Sequence, residues 1–281
     1  LGSVQLGIPY GINNLTGKPD NSESFGILKE AYRNGITLLD SAEAYGDSLQ
    51  VIASYLKENT NQTFDIISKF IGNGESVEQN VRKSIHILGV KNLYAYMYHR
   101  FSDYRSEKYR KELTKLKKEG IIQKLGVSLY SIEELETILK DQEITLIQIP
   151  FNPFDCSLEK KRLLTIAKKA GKEIHVRSVF LQGLFFKSPE SLTGNMTSLK
   201  PALQQFNQII QDLKLTPTEA CLNFALHHNT IDYVLVGVER VDQLRQNLSA
   251  VKDVFSQDII KTLESVKIVD TSLLNPSNWK P

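Results

Sequence analysis

The sequence predicts an α/β fold, because short apolar segments alternate with amphipathic segments along almost all of its 281 residues. Such alternation requires parallel strands that are joined by right-handed helical crossovers. Eight strand–helix units in about 250 residues fit a closed barrel better than an open sheet. No glycine-rich nucleotide-binding fingerprint follows any predicted strand, so an open dinucleotide-binding sheet is the weaker alternative. We therefore predict a single (β/α)8 TIM barrel.

The predicted strands are short apolar runs in which β-branched and aromatic side chains are frequent. They cover residues 3–7, 36–42, 64–70, 92–100, 121–129, 144–152, 173–181 and 231–238. The predicted helices carry apolar residues at helical spacing. They cover residues 22–35, 46–59, 76–89, 106–120, 131–141, 157–171, 202–215, 216–228, 241–251 and 256–266. The helix at 216–228 opens with the capping pattern of Thr216 and Glu219. No linker divides the chain, so we expect one domain that spans residues 1–281.

Composition excludes several classes of partner and site. The net charge is only +2, so bulk electrostatics does not predict binding to nucleic acid or to an anionic membrane. No apolar run approaches the roughly 20 residues that cross a bilayer, and we find no signal peptide. Cys156 and Cys221 cannot build a disulfide framework or a zinc site, so we expect reduced thiols, a cytoplasmic location and no metal. The chain opens on a predicted strand, so a few native residues are expected before Leu1.

Four side chains that carry charge or exchange protons follow the ends of three successive predicted strands. Asp40 and Tyr45 follow the second strand, Lys69 ends the third and His99 ends the fourth. Each alone has an ordinary explanation, such as a helix cap, a packed phenol or a solvent-facing amine. Adjacent strands lie about 4.8 Å apart, and barrel active sites lie where strands end, so the four groups can converge. A buried ammonium needs a partner to keep its proton, and Asp40 is the predicted partner of Lys69.

Motifs that occur in order along nearly the whole chain are LLDSAEAYG, IISKF, YMYHR, GIIQKLGVS and VDQLRQNLSAV. In these motifs the sequence resembles the aldo-keto reductases. The resemblance implies that Tyr45 is the general acid, which protonates a carbonyl oxygen while hydride reaches the carbon. It also implies that Lys69, held by Asp40, makes the phenol a stronger acid, and that His99 orients the carbonyl through a hydrogen bond.

The resemblance further implies a nicotinamide dinucleotide, because no side chain can supply a hydride. Ser128 and Gln148 match positions that bind the carboxamide, and Asn152 is expected nearby. Arg177 stands where an aromatic residue commonly stacks on the nicotinamide, and Phe180 is an alternative platform. The complete predicted cofactor set is Ser128, Gln148, Arg177, Ser178, Phe180, Gln182, Gly237, Arg240, Gln243 and Asn247, the last four of which would hold the adenosine half.

Several positions depart from the family pattern. Leu129 replaces the asparagine of the family's VSN motif and cannot supply the usual amide. Glu239 would repel a 2′-phosphate, whereas Arg240 and Arg245 would attract it. On balance we predict NADP(H) in preference to NAD(H).

The substrate pocket is less well defined by the sequence. We expect a small carbonyl substrate that is polar or anionic, such as a sugar derivative. Candidates to line its pocket are Tyr10, Arg100, Phe101, Tyr104 and the loop at 185–195. No long apolar exposed stretch requires assembly, so we expect a monomer or a weak homo-oligomer.

Two other functions stay open. Lys69 could form a Schiff base in a barrel lyase or isomerase, although a paired ammonium is a poor nucleophile. The chain could instead be a non-catalytic nicotinamide-binding barrel that acts as a regulatory subunit, although all four catalytic residue types are present.

Overall fold

A curled sheet of seven parallel strands lies at the centre of residues 1–280, the part of the chain that the structure, a computed structural model, describes. The strands are β1 (Leu38–Asp40), β2 (Asp65–Phe70), β3 (Leu93–Tyr98), β4 (Ile122–Ser128), β5 (Ile144–Pro150), β6 (Glu173–Arg177) and β7 (Tyr233–Val234). Strands that follow one another along the chain are also neighbours in the sheet. Every pairing is parallel, as strand–helix alternation predicts.

The first residues of the chain close this sheet into a barrel. Backbone bridges join Gly2 to Asp40, at the end of β1, and to Gly237, beyond β7. The Gly2 nitrogen donates to the Val236 oxygen at 2.7 Å, and the Ser3 nitrogen donates to the Asp40 oxygen at 2.9 Å. The predicted α/β barrel is confirmed, although pairing at Gly2 takes the place of one full strand.

Two predicted strands differ from the structure. Residues 3–7, predicted as a strand, contain the single helical turn α1 (Val4–Gly7). Apolar alternation over so short a segment does not separate strand from helix. Of the predicted strand at 231–238, only Tyr233–Val234 pairs within the sheet as β7. The residues that follow β7 run beside Gly2 instead.

Helices follow the strands and pack against the sheet and one another. Besides α1 they are α2 (Asn21–Arg33), α3 (Ser48–Glu58), α4 (Val77–Leu88), α5 (Phe101–Tyr104), α6 (Glu107–Lys118), α7 (Ile132–Leu139), α8 (Leu158–Lys169), α9 (Lys200–Asp212), α10 (Pro217–Leu226), α11 (Val241–Ser249) and α12 (Gln257–Leu263). Short 3-10 turns occur at Leu181–Phe186, Pro189–Ser191, Gly194–Leu199, Thr271–Leu274 and Pro276–Asn278. The predicted capping pattern is confirmed at α10, where Thr216 and Glu219 form a reciprocal capping box. None of the helices in the described part of the chain is both long and apolar enough to span a bilayer.

Two apolar clusters determine where polar side chains can lie. A large cluster fills the space between the sheet and the helices. A small cluster comprises Leu38, Ile67, Ala95, Met97 and Leu146, which come from β1 to β3 and β5. Four of its members, Leu38, Ile67, Met97 and Leu146, each lie two positions before a polar residue, namely Asp40, Lys69, His99 and Gln148. The interior of the barrel is therefore filled with apolar side chains just below its carboxyl-terminal edge. Polar side chains lie at the edge itself.

A backbone contact supports the loop that carries Tyr45. A Cβ atom added to Gly7 would lie 1.7 Å from the carbonyl oxygen of Tyr45. Gly46 has a φ of +55°, and a Cβ atom there would lie 2.4 Å from the Gly7 oxygen. Helix α1 can approach the loop this closely only because both residues lack a side chain. Helix α1, where the sequence predicts a strand, thus packs directly against the loop of Tyr45 and supports it.

We expect the Gly7→Ala substitution to destabilise the protein by about 1–3 kcal/mol, because the new methyl group overlaps the Tyr45 carbonyl and the backbone must move. Chemical denaturation measures this change. The control is Gly2→Ala, since a Cβ atom there would meet its nearest neighbour at an ordinary 3.4 Å. We expect Gly2→Ala to stay within about 0.5 kcal/mol of the unmodified protein. Equal stability of the two variants would contradict the bracing role of Gly7.

Candidate active site

Four side chains lie together where strands β1, β2 and β3 end. Asp40 is the last residue of β1, and Tyr45 lies in the loop that follows it. Lys69 is the penultimate residue of β2, and His99 directly follows β3. Because the strands are parallel, their carboxyl ends meet at one edge of the barrel, where barrel enzymes hold their active sites. The structure therefore brings together the four residues that the sequence predicts to be catalytic.

A buried ion pair joins Lys69 to Asp40. The Lys69 Nζ atom donates to Asp40 Oδ2 at 2.6 Å and to the Ser41 carbonyl oxygen at 3.0 Å. Burial of Lys69 is complete and favours loss of its proton. The Asp40 carboxylate and the Tyr45 phenol outweigh this effect, so the pKa of Lys69 is raised above its ordinary value. The side chain is therefore an ammonium at neutral pH.

The second carboxylate oxygen of Asp40 is bound from across the barrel. Gln148, in β5, donates from Nε2 to Asp40 Oδ1 at 2.8 Å. Both oxygens of Asp40 are thus paired, one with an ammonium and the other with an amide. Since the nitrogen of Gln148 is used in this way, its carbonyl oxygen is the atom that remains for a ligand.

Tyr45 and His99 lie beside the ion pair. The Lys69 Nζ atom is 5.1 Å from the centre of the Tyr45 ring, and the Tyr45 and His99 rings meet edge to face with centres 5.7 Å apart. Burial, together with the charge of Lys69, lowers the pKa of His99 to about 4, so its ring is neutral at pH 7. Within residues 1–280 no group pairs with the buried Nδ1 atom of His99. A buried nitrogen without a partner is better left unprotonated, which favours the tautomer that carries its proton on Nε2.

A cavity of about 790 Å³ opens at this edge of the barrel. Its lining includes all the predicted site residues except Lys69: Asp40, Tyr45, His99, Ser128, Gln148, Arg177, Ser178, Phe180, Gln182, Gly237, Arg240, Gln243 and Asn247. Lys69 does not line the cavity. Its charge can act on a ligand there only through Tyr45 and His99, which do line it. The volume is within the range of about 300–1,000 Å³ that small-molecule and cofactor sites occupy.

Strands β4, β5 and β6 contribute the wall around Arg177. Ser128 ends β4 beside Gln148 of β5, and Arg177 ends β6. The guanidinium of Arg177 donates to the Leu129 carbonyl oxygen at 3.1 Å and to Ser178 Oγ at 3.3 Å. It also stacks on Tyr130, with Cζ 4.1 Å from the ring centre. Arg177 therefore presents a guanidinium in a fixed orientation to the cavity.

The segment after β6 reaches the cavity in a strained conformation. Ser178, Leu181 and Gln182 have positive φ angles of 57°, 45° and 53°. Contacts with the loop near Tyr10 hold the segment, because Gln182 Nε2 donates to Tyr10 Oη at 3.0 Å and Asn13 Nδ2 donates to the Gly183 oxygen at 2.6 Å. Such angles cost about 1–3 kcal/mol each and persist only where neighbouring contacts impose them.

The far end of the cavity is formed by α11 and the residues before it. Gln243 binds Glu239 twice, since its Oε1 accepts from the Glu239 nitrogen at 2.9 Å and its Nε2 donates to the Glu239 carboxylate at 2.8 Å. Arg240 lines the cavity, whereas Arg245 does not and instead pairs with Glu30 at 3.0 Å. Of the two arginines that the sequence offers to a phosphate, only Arg240 is in position.

Some predicted pocket residues lie elsewhere. Asn152 does not line the cavity. Its Nδ2 atom donates to the Ser178 carbonyl oxygen after β6, and its Oδ1 atom accepts from the Phe154 nitrogen in the loop after β5. Arg100, Phe101 and Tyr104 also lie outside the lining, and Phe101 stacks on Tyr104 within α5. Tyr10 lines the cavity as expected, and Phe186 is the residue of the predicted loop at 185–195 that reaches it.

Gln5 is a cavity residue that the sequence does not reveal. It lies in α1, is buried, and its Oε1 atom has no partner within the described residues. Gly237 allows its approach, since a Cβ atom there would lie 2.1 Å from Gln5 Oε1. The helical turn of α1 directs Gln5 into the cavity, so the incorrect strand prediction for this segment concealed it.

The donors and acceptors of the cavity fit a nicotinamide dinucleotide. The lining offers the unpaired Oε1 atom of Gln5, the carbonyl oxygen of Gln148, the neutral ring of His99 and the guanidinium of Arg240. Among the described residues, no group of three or more histidine, cysteine, aspartate or glutamate side chains is arranged to hold a metal ion.

The chain is similar to known proteins over most of its length. The model of the Aldo/keto reductase family matches residues 1–268. The chain is 27% identical to aldo-keto reductase str7 of Strobilurus tenacellus, over 89% of this chain and 82% of that protein. It is 23% identical to the NADH-specific methylglyoxal reductase of Escherichia coli strain K12, over 83% of this chain and 84% of that protein.

The fold is similar to that of the holo form of the aldo-keto reductase AKR11C1 from Bacillus halodurans. The TM-score is 0.75 at 19% identity, with 95% of this chain and 90% of that chain covered. The family match over nearly the whole chain and the grouping of Asp40, Tyr45, Lys69 and His99 at one barrel edge lead to the same assignment. The chain belongs to the aldo/keto reductase family, whose members are oxidoreductases that act on carbonyl compounds.

Proposed function

We propose that the chain is an NAD(P)H-dependent reductase that converts the carbonyl group of an aldehyde or ketone to an alcohol, with Tyr45 as the general acid. The observation that carries this proposal is the buried ammonium of Lys69, which Asp40 holds 5.1 Å from the centre of the Tyr45 ring. A cation at this distance stabilises the phenolate that remains when the proton leaves. The phenol is therefore the group best suited to protonate the carbonyl oxygen.

Each member of the cluster has a separate task. When bound, the nicotinamide cofactor supplies the hydride that reaches the carbonyl carbon. Tyr45 gives its hydroxyl proton to the carbonyl oxygen, and solvent later restores the phenol. Lys69 stabilises the phenolate, and Asp40 keeps Lys69 charged and in place. His99, neutral at pH 7, donates from Nε2 to the same oxygen and fixes its direction.

The cofactor proposal is NADP(H) in preference to NAD(H). Ser128 and the carbonyl oxygen of Gln148 suit the carboxamide of either form. The guanidinium of Arg240 lines the far end of the cavity and forms no ion pair with another described residue. The carboxylate of Glu239 is bound by Gln243, which reduces its repulsion of a phosphate. One relative is named as an NADH-specific reductase. The affinities of this protein for NADPH and for NADH must therefore be measured side by side.

The substrate proposal is a polar or anionic carbonyl compound, such as a sugar derivative. Tyr10, Asn13 and Gln182 offer hydrogen-bonding groups around the cavity, and Arg177 offers a positive charge. Leu15 and Phe186 supply apolar surface at the same opening. Such a lining suits a small molecule that carries several hydroxyl groups or an acidic group.

A Schiff-base reaction at Lys69 is the weaker alternative. That chemistry needs an amine that is neutral and in contact with the substrate. The pKa of Lys69 is raised, the side chain is fully buried, and it does not line the cavity. A non-catalytic regulatory barrel would bind the cofactor without turnover, and steady oxidation of NADPH by an aldehyde would exclude it.

We further propose a cytoplasmic protein that is a monomer or a weak homo-oligomer. Cys156 and Cys221 are both buried free thiols, which is usual in a reducing compartment.

We expect Tyr45→Phe to lower kcat for NADPH oxidation by at least about a thousandfold with D-glyceraldehyde or methylglyoxal as substrate, because the proton donor is removed. Calorimetric titration should show that the variant still binds NADPH. The matched control is Tyr10→Phe, which removes another cavity phenol and should change KM more than kcat. If Tyr45→Phe retained near-full turnover, Tyr45 would not be the acid.

The pKa of His99 predicts a pH-dependent contribution to stability. Between its folded value of about 4 and its unfolded value of about 6.5, the unfolded chain binds more protons, so stability rises with pH. The unfolding free energy of the unmodified protein, minus that of His99→Gln, should therefore increase from pH 4 to 6.5 and level off above. His86→Gln, at an exposed histidine, should follow the unmodified protein. A flat difference across this window would refute the assignment.

Substitution of Arg240 by alanine tests the preference for a 2′-phosphate. We expect the Kd for NADPH to rise about tenfold, because a charge-assisted contact is lost, while the Kd for NADH changes less than about twofold. The control is Arg245→Ala, because Arg245 pairs with Glu30 outside the cavity. Tighter binding of NADH than of NADPH by the unmodified protein would reject the NADP(H) preference.

A further inference from the structure

Arg177 is a positive charge without a compensating carboxylate. No aspartate or glutamate of residues 1–280 lies within ion-pair distance of its guanidinium. The acidic residue at this end of the cavity is Asp40, and both of its oxygens are already bound by Lys69 and Gln148. Glu239 lines the far end and is bound by Gln243. The wall around Arg177 is therefore electropositive.

The position of Arg177 is also fixed. Its guanidinium is bound to the Leu129 carbonyl and to Ser178 Oγ, and its flat face rests on the Tyr130 ring. A side chain held by two hydrogen bonds and a stacking contact cannot swing out to water without losing all three. The charge consequently stays at the cavity wall when a ligand enters.

The reacting end of a bound cofactor must lie near this charge. In the proposed function the carbonyl oxygen lies between Tyr45 and His99, and hydride transfer requires the nicotinamide ring to touch the same carbonyl group. Arg177 ends β6, next to β5, which carries Gln148. Arg177 and His99 line the same cavity. Burial is the main cause of the lowered pKa of His99, and the charge of Arg177 adds to it. A ring placed for transfer beside His99 is therefore within the field of Arg177.

The two redox forms of the ring respond differently to that field. The oxidised ring is a pyridinium with a positive charge, whereas the reduced ring, which holds one more hydride (a proton and two electrons), is neutral. We propose that Arg177 makes the site select the redox state of the cofactor, so that it holds the reduced form more tightly than the oxidised form. This inference rests on the proposed function, because it requires a nicotinamide in the cavity.

Such selectivity suits a reductase. With both forms present, the site fills with the reduced form and releases the oxidised form readily after each turnover. Binding and reduction of the cofactor are coupled equilibria. The ratio of the dissociation constants of its reduced and oxidised forms therefore determines how far the reduction potential of the bound cofactor differs from that of the free cofactor. A tenfold preference for the reduced form corresponds to about 30 mV for a two-electron couple.

Calorimetric titration of the purified protein with NADP⁺ and with NADPH tests the proposal. We expect the unmodified protein to bind NADPH about tenfold more tightly than NADP⁺, the effect of one partly solvated charge a few ångströms away. Arg177→Gln and Arg177→Tyr, two neutral replacements of different shape, should each bring the ratio of dissociation constants close to one. Arg177→Lys keeps the charge and should retain most of the preference.

Arg162→Gln is the matched control, since it removes an arginine charge from the exposed face of α8, where Arg162 pairs with Glu159. The ratio should be unchanged in this variant. Equal loss of affinity for both forms in the neutral Arg177 variants would overturn the proposal and indicate contact with the cofactor phosphates. An unaltered ratio with a raised substrate KM would also overturn it and assign Arg177 to the substrate. If the unmodified protein bound neither form, the proposed function itself would fail.

Discussion

The ion pair between Lys69 and Asp40 is the interaction on which the rest of the site depends. Taking an ammonium out of water costs several kcal/mol, and a neighbouring carboxylate repays this only with good geometry. Here Lys69 is completely buried, and a distance of 2.6 Å and a second bond to the Ser41 carbonyl supply that geometry. Buried ion pairs often stabilise a fold no better than a well-packed apolar pair of similar size. The value of the ion pair therefore lies in what its cation does to adjacent groups.

The same cation acts on two neighbours. It lies 5.1 Å from the centre of the Tyr45 ring. It also adds to the effect of burial, which lowers the pKa of His99. One buried charge thus lies beside both a phenol and an imidazole. The apolar cluster inside the barrel excludes water from beneath this arrangement, and Gln148 prevents the second oxygen of Asp40 from being left unpaired.

The sequence predicts the barrel and the grouping at its edge because both follow from repetitive features. Strands of one direction end at one edge, so Asp40, Lys69 and His99 had to lie near one another once the alternation was recognised. Features that depend on a single contact could not be predicted in this way. The turn of α1 depends on Gly7 meeting the Tyr45 carbonyl, and the positive φ angles after β6 depend on contacts with Tyr10 and Asn13. Likewise, the pairing of Arg245 with Glu30 depends on a residue far away in the sequence.

The N-terminal segment has a consequence for the dynamics of the protein. Gly2 seals the barrel between β1 and the residues after β7, and five positions later Gly7 braces the loop of Tyr45. Local opening of a segment exposes its amides to hydrogen exchange. Opening of the segment from Gly2 to Gly7 would break the seam of the barrel and release the loop of Tyr45 in one event. We therefore expect amides of the seam and of the Tyr45 loop to exchange together, with one common free energy of opening.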